Sequence, residues 1–333
     1  MAVTLAQAKL NAQDDIQAGV IDEFRKSSYL LDNMTFDDAV TPGTNGATLT
    51  YGYTRLITQP SAAFRAMNTE YTPQEVTKQR YTVELKPFGG SFQIDRVLAK
   101  VGGLADEVAL QMSQKIKAAR SLFHDAAING DSAVDANAFD GLKKALTGSS
   151  TEIGASATAV QNGLDWTVID TQAEAFKAME FLDELVAALA ERPTALLGNS
   201  KSIARVQQIA RWAGYLSQVE DAFGRKVAAF DGIPLVDLGA KPASNNPIIP
   251  IESRDLDGAG TNPAISGLTD LYAVNLDLTG FHGVSLAGQP LVNSWLPDFS
   301  QAGAVKNGEV EMVAAVALKA TKSAAVLRHI KVS

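Results

Sequence analysis

Residues 48–95 contain the feature that most restricts how this chain can fold: two strand-like segments joined by a very long connection. Residues 48–58 are rich in β-branched and aromatic side chains, and residues 79–85 alternate apolar with polar ones. The connection at 59–73 carries large apolar groups but has no periodicity of its own. Because a two-stranded ribbon is only marginally stable alone in water, the sequence predicts an arm that lies on another surface.

This arm contains the candidate residues for contact with another protein. Large apolar groups in the tip are costly to expose unless a partner covers them. Charged groups on the strands, predicted on the positions opposite the apolar face, would orient that partner more than they would add net affinity. The candidate interface residues are Arg55, Phe64, Arg65, Met67, Glu70, Tyr71, Lys78 and Arg80.

Residues 103–129 have the strongest helical pattern in the chain. Their apolar side chains recur every three or four positions, and Gly130 is a natural C-terminal stop. At 1.5 Å per residue the helix is about 40 Å long, which suggests a structural beam. A second amphipathic helix is predicted for residues 4–26, with Thr4 and Gln7 forming a capping box.

The remaining elements mix helices and strands without strict βαβ alternation, so the fold class is α+β. Residues 35–48 are predicted to be an extended or turning connector, and residues 240–267, rich in Pro, Gly, Asn and Ser, a long surface loop. Further helices are predicted for 170–191 and 200–212. In the first of these, the inward residues are Phe176, Met179, Leu182, Val186 and Leu189. The predicted strands are 194–198, 232–237, 269–276, 281–286, 309–319 and 323–332.

Composition excludes several classes of protein. The chain has no cysteine, so disulfides, thiol catalysis and thiolate metal sites are absent. Its formal net charge of −8 argues against a dedicated nucleic-acid binder but leaves room for a locally basic face. No apolar run is long enough for a membrane span, and the N-terminus does not have the pattern of a signal peptide. We therefore expect no membrane partner.

No motif indicates catalysis, a cofactor or a metal. Ser285 lies in a sequence that resembles a nucleophile elbow but has one residue too many, which favours a simple turn between strands. The three histidines have no partner at ligand spacing. Two polar loops could hold a cation, but their Asp and Asn residues are also typical of turns. These loops are Asp255 with Asp257, and Asp131 with Asp135 and Asn137. We predict no catalytic residue, no cofactor and no metal, and hence a protein that is not an enzyme.

The order of the parts resembles the major capsid protein of tailed double-stranded DNA bacteriophages, which has the Hong Kong 97 capsid fold. Short segments resemble that family in the same order: Phe139–Leu142 resembles its Phe-x-Gly-Leu turn, and Phe230–Val236 its Gly-Ile-Pro-Val strand. Asp270–Leu276 and the closing segments from Glu309 to Ile330 resemble its later strands. The resemblance spans nearly the whole chain.

The resemblance implies a division into named parts. Residues 1–47 would be the N-terminal arm, 48–95 the E-loop hairpin, and 96–165 the P-domain with its spine helix. Residues 166–300 would be the A-domain, and 301–333 the return strands of the P-domain.

It also implies a function in assembly. Copies of the chain would form hexamers and pentamers of an icosahedral head shell around packaged double-stranded DNA, bound without sequence specificity. The other expected partners are a portal, a cement protein and a scaffolding protein, the last being separate or absent because the sequence starts at the arm. The expected location is the virion capsid, assembled in the host cytoplasm. The first alternative is an encapsulin-like cellular compartment, which shares the fold and encloses cargo enzymes. The second is a hydrolase of α+β type without a recognisable motif.

Overall fold

The computed structural model describes residues 29–41, 49–100, 107–155, 159–214, 216–220, 226–256 and 264–333. The helix predicted for residues 4–26 lies outside this part of the chain. The α-helices are α1 (Tyr29–Asn33), α2 (Glu107–Asn129), α3 (Leu142–Leu146), α4 (Gln172–Ala187) and α5 (Ser200–Ala213). Short 3-10 turns cover Leu98–Lys100 and Thr321–Ser323.

The strands are distributed along the whole described chain. In the first third they are β1 (Phe36–Val40), β2 (Thr50–Leu56), β3 (Lys78–Glu84) and β4 (Lys86–Asp95). In the middle they are β5 (Glu152–Ile153), β6 (Ala195–Gly198), β7 (Leu216–Glu220), β8 (Lys226–Phe230), β9 (Ile233–Asp237) and β10 (Glu252–Arg254). The last are β11 (Ile265–Val274), β12 (Phe281–Leu286), β13 (Val292–Trp295), β14 (Val305–Leu318) and β15 (Ala324–Lys331). The mixture confirms the α+β prediction.

The first sheet is built around the long strand β14. One edge of β14 pairs with β12 and β13, and the other edge pairs with β4 in a continuous antiparallel register from Asp95 opposite Val305 to Lys86 opposite Ala314. β1 adds in parallel to β12, where Gly283 leaves the space that the ring of Phe36 occupies. Part of the long helix α2 packs on β4 and β14. The buried residues at this contact are Phe92, Ile94, Met112, Ala119, Val310 and Met312.

The prediction of one exceptionally long helix is confirmed from residue 107 to residue 129, and residues 103–106 lie outside the described part. Its apolar stripe turns inward, and Phe123 is completely buried. The ring of Phe123 lies 5.9 Å from that of Phe36, 6.2 Å from Phe88 and 6.0 Å from Phe139, measured between centroids. The helix is therefore anchored by an aromatic cluster that joins it to three separate segments of the chain.

The second sheet runs in the order β5-β15-β11-β6-β9-β8-β7, with β10 on β11. Helices α4 and α5 pack together beside it and share its core. Helix α5 is capped by Asn199, whose side chain accepts from the amide of Ser202 while the hydroxyl of Ser202 accepts from the amide of Asn199. This reciprocal capping box satisfies amides that the first turn of a helix leaves unpaired.

Three details of the predicted layout are wrong. Phe176 is 45% exposed, because the buried face of α4 is formed by Ala175, Ala178, Met179, Leu182 and Leu185 instead. The connector at 35–48 contains strand β1. The loop at 240–267 buries Ile248 and Ile249 almost completely and contains strand β10. In the last two cases the segments gain order by pairing with other strands, β1 with β12 and β10 with β11, which local pattern does not reveal.

Candidate subunit interface

Strands β2 and β3 form an isolated antiparallel hairpin, with Thr50 opposite Glu84 and Leu56 opposite Lys78. The face toward the body of the subunit carries Tyr51 and Tyr53 on one strand and Tyr81 and Val83 on the other. The rings of Tyr53 and Tyr81 stack with centroids 5.8 Å apart. The hydroxyl of Tyr51 donates to Asp37 over 2.7 Å, and that of Tyr53 to the carbonyl of Leu318 over 2.9 Å. The base of the hairpin is thus attached to its own subunit.

Beyond these contacts the hairpin leaves the body. Every residue from Leu56 to Arg80 is exposed. Hydrogen bonds link the two sides of the loop to each other, from Ile57 to Thr77 over 2.9 Å and from Ser61 to Gln74 over 2.6 Å. The arm predicted from the sequence therefore projects from the subunit without a core of its own.

The tip of the arm exposes its largest apolar side chains. Phe64 is fully exposed, Met67 is 93% exposed and Tyr71 is 62% exposed. Leu56, Ile57 and Val76 add further exposed apolar surface along the loop. Arg65 donates to the carbonyls of Ala66 and Thr69 and lies 5.4 Å from the centre of the Tyr71 ring, so it shapes the tip from within. Large apolar side chains are costly to expose to water unless a partner covers them, so the tip is the candidate contact surface.

The charged candidates divide into two groups. Glu70, Lys78 and Arg80 are exposed, and the guanidinium of Arg80 lies over Gly52 on the neighbouring strand. The prediction from the sequence placed Arg55 on the face opposite the tyrosines. In the structure Arg55 lies on the tyrosine face and contacts its own subunit. Side chains alternate between the two faces of a strand, so positions 51, 53 and 55 share one face, and the sequence alone could have placed Arg55 beside the tyrosines.

A buried ionic network in the second sheet was not predicted. Asp270 is 2% exposed, and its carboxylate accepts from Arg254 over 2.6 and 3.0 Å and from Arg328 over 3.1 Å. Arg328 also donates to Glu152 over 2.8 Å. Burial alone would raise the pKa of Asp270, but the two guanidinium groups hold it below the ordinary value. The signal available in the sequence was a lone carboxylate in the apolar segment 268–274.

This network joins four strands, β5, β10, β11 and β15, and its centre at Asp270 and Arg328 is enclosed by the protein. His329 adopts a positive φ of 60° beside it, and its backbone amide donates to Asp270 over 3.3 Å. The local break in the β11–β15 register next to Asp270 brings that amide to the carboxylate. The arrangement ties the four strands together.

The described residues do not form a catalytic or metal site at the positions considered. Ser285 is 7% exposed and pairs with Ala314 inside strand β12, so it does not lie at an elbow. The turn predicted for this segment lies at residues 287–288, directly after the strand. The ammonium group of Lys144 lies 2.7 Å from Asp131 and 2.9 Å from Asp140, where a cation would have to bind. Asp257 lies outside the described residues. Within the described ranges, no three metal-binding side chains converge, and no helix is long and apolar enough to cross a membrane.

No protein-family model and no curated protein matches the sequence. Solved structures do match over nearly the full length of both chains. The holo-SrpI encapsulin complex of Synechococcus elongatus PCC 7942 aligns with a TM-score of 0.62 and 15% identity, covering 100% of this chain and 98% of that one.

Two matches come from a GTA particle and a phage. The capsid of a native GTA particle aligns with a TM-score of 0.59 and 13% identity over 97% of each chain. A chain of Mycobacterium phage Bobi aligns with a TM-score of 0.60 and 14% identity over 99% of each chain. The chain has the Hong Kong 97 capsid fold that phage capsid and encapsulin subunits share.

Proposed function

We propose that this chain is the major capsid protein of a tailed double-stranded DNA bacteriophage, which assembles into an icosahedral head shell. The observation that carries the proposal is the projecting hairpin, whose apolar tip has no partner within the described part of its own subunit. In a shell of repeated copies, a neighbouring subunit would cover this tip. The capsid structures with the same fold support the same function.

The energetics of the tip favour a repeated assembly. Full burial of one large apolar side chain contributes about 2 kcal/mol. Burial of Phe64, Met67 and Tyr71 would therefore contribute on the order of 6 kcal/mol per arm before ordering costs, which is modest for one contact. Each subunit of a closed shell would give one arm and receive another, so that weak contacts add up over the whole particle.

The parts of the chain have separate roles in this proposal. Residues 1–47 would serve as the N-terminal arm and 48–95 as the E-loop hairpin. The spine helix would lie in a P-domain formed by 96–165 and the return strands 301–333, with an A-domain at 166–300. Hexamers and pentamers of the chain would meet a portal, and scaffolding and cement proteins where these exist. Packaged DNA would be enclosed without base readout, and no enzymatic step is required of the chain.

The proposed location is the virion, with assembly in the host cytoplasm. A second candidate, the shell of an encapsulin-like compartment, is favoured by one observation: the alignment with the SrpI encapsulin complex at a TM-score of 0.62. The two candidates differ in their contents. Particles purified from the native source would contain double-stranded DNA in the first case and a cargo protein in the second, which nuclease treatment and mass spectrometry of the contents distinguish.

Electron microscopy of the purified chain tests the proposal, with its scaffolding protein supplied if one is needed. We expect closed shells of uniform diameter from the wild-type chain. Replacing Phe64, Met67 and Tyr71 together by Ser should leave the subunit folded and reduce the yield or heat resistance of the shells.

A matched control replaces three exposed apolar residues elsewhere, Val134, Val168 and Leu278, by Ser. This variant should assemble as the wild type does. A wild-type chain that stays monomeric at high concentration under all assembly conditions would contradict the proposed function. Equal losses in the two triple variants would contradict the special role of the tip.

A further inference from the structure

We propose that Arg55 is a latch that sets the direction in which the hairpin leaves its own subunit, and thereby which position on a neighbour the tip reaches. This role rests on the proposed function in assembly. Arg55 is the last half-buried residue of β2, at the point where the hairpin leaves the body. Its neighbour in the ladder is Gln79, and all residues beyond it up to Arg80 are exposed.

The guanidinium of Arg55 binds the chain at the end of β14. Its Nε donates to the carbonyl of Lys319 over 2.5 Å, Nη2 donates to the carbonyl of Leu318, and Nη1 donates to the hydroxyl of Thr321 over 3.3 Å. These acceptors lie more than 260 residues away in sequence, where β14 ends and the 3-10 turn at 321–323 begins. Because a guanidinium presents several donors in a rigid plane, three contacts of this kind define an orientation as well as a distance.

The same group also supports the hairpin from inside. The carbon at the centre of the guanidinium lies 4.6 Å from the centre of the Tyr81 ring and 5.6 Å from that of Tyr53. Tyr53 in turn donates to the same carbonyl of Leu318. One side chain therefore connects both strands of the hairpin to one site on the body. A lysine in place of Arg55 would keep the positive charge, but it could not both stack on the tyrosine rings and donate to three acceptors.

The latch borders an open cleft. This cleft of about 300 Å³ lies between the hairpin base and α3, and its lining includes Tyr53, Arg55, Tyr81, Leu142 and Leu318. The hairpin base therefore has room to move toward α3 once the contacts of Arg55 are lost. With a rise of about 3.3 Å per residue, the tip at Met67 lies up to about 40 Å from Arg55, so a swing of about 10° displaces it by about 7 Å. Such a shift exceeds the contact distance of about 4 Å between apolar side chains.

The test measures the direction of the hairpin in the full-length chain before assembly. Since the chain has no cysteine, Thr72→Cys in the loop and Glu180→Cys on α4 provide two unique sites for spin labels. Pulsed electron paramagnetic resonance should give one narrow distance distribution for the otherwise wild-type chain. Arg55→Gln should broaden or shift it, and Arg55→Lys should give an intermediate result. The matched control is Arg80→Gln, which removes an exposed charge from the adjacent strand and should keep the distribution narrow.

Hydrogen exchange of the same unlabelled proteins gives a second readout. A detached two-stranded ribbon is marginal in water. Loss of the charged donors should therefore speed exchange of the β2–β3 amides by about tenfold, the factor that corresponds to one strong hydrogen bond. Exchange in α2 should stay unchanged, which shows that the subunit remains folded. An Arg55→Gln variant with wild-type distances and wild-type hairpin exchange would overturn the latch.

Shell assembly tests whether the latch directs the tip to its position on a neighbouring subunit. If the latch directs assembly, Arg55→Gln yields fewer shells or shells of mixed diameter while the subunit stays folded. A loosened hairpin combined with normal yield and diameter would refute its role in directing the tip. Failure of the wild type to form any shell would instead count against the proposed function, and the distance measurement would still decide whether the latch exists.

Discussion

Asp270 is the buried acid at the centre of the ionic network in the second sheet. Its two arginine partners are nearly as enclosed as it is, with side chains 14% and 5% exposed for Arg254 and Arg328. Asp270→Asn would leave both cations buried with reduced compensation. We expect the free energy of unfolding to fall by about 3–5 kcal/mol, the usual effect of breaking a buried ion pair. Chemical denaturation of the subunit measures this loss.

The control for this prediction lies in the same network. Glu252 contacts Arg254 over 2.8 Å, but its side chain is 42% exposed. Solvent screens such a pair, so Glu252→Gln should cost less than about 1 kcal/mol. If Asp270→Asn and Glu252→Gln lowered the free energy of unfolding by similar amounts, burial would not decide how much each ion pair of the network contributes.

His124 on α2 predicts an acid-sensitive stability. Its side chain is fully buried, and neither ring nitrogen has a hydrogen-bonding partner of good geometry among the described residues. Burial lowers its pKa from 6.5 to about 4, with Asp32 and Arg120 acting in opposite directions nearby. As the pH falls below 6.5, His124 becomes protonated in the unfolded chain but stays neutral in the folded chain. Stability therefore decreases between pH 6.5 and 4, by about 3 kcal/mol in full.

The measurement is the free energy of unfolding against pH, for the wild type and for His124→Leu. The variant should show a shallower slope between pH 6.5 and 4.5. Burial also lowers the pKa of His282 and of His329, so those groups leave a residual slope of the same sign in both proteins. Identical slopes would show that His124 takes up its proton in the folded state.

At the scale of elements, two adjacent glycines test the pairing of β4 with β14. A Cβ at Gly89 would overlap the backbone carbonyl of Val310, whereas one at Gly90 would meet only the flexible side chain of Lys115, at 3.5 Å. Gly89→Ala should therefore destabilise the subunit by about 1–3 kcal/mol, the range for overpacking. Gly90→Ala should be close to neutral. Thermal unfolding compares the two, and equal stabilities would contradict the register.

The helices show where the local sequence pattern predicts structure correctly and where it does not. The helices predicted at 103–129 and 200–212 are confirmed within the described residues as Glu107–Asn129 and Ser200–Ala213. The first has a continuous apolar stripe, and Asn199 caps the second. In α4, spacing alone was compatible with Phe176 inward, and the structure buries Ala178 and Leu185 instead. Which face a helix buries depends on the sheet that it meets, and that sheet is formed by strands far away in the sequence.

At the scale of the whole molecule, the arm should be dispensable for the fold of the subunit. All residues in 60–72 are exposed, so their replacement by a short Gly-Ser linker removes no buried contact. We expect the circular dichroism spectrum to be unchanged and the melting temperature of the unassembled subunit to shift by less than about 2 °C, since under 1 kcal/mol is involved. A large loss of stability would place the loop in the core of its own subunit.

The sequence by itself determined the types of the long elements, the long helix, the exposed arm and its apolar tip, because these depend on periodicity and composition over neighbouring residues. Only the tertiary structure decided that β4 pairs with β14, that Arg55 turns to the carbonyls of Leu318 and Lys319, and that Asp270 is held by Arg254 and Arg328. Each of these contacts joins segments that are distant in sequence, by 264 residues in the case of Arg55 and Lys319. Such a partner is selected by packing and by the need to satisfy buried polar groups, and neither leaves a trace in the local pattern.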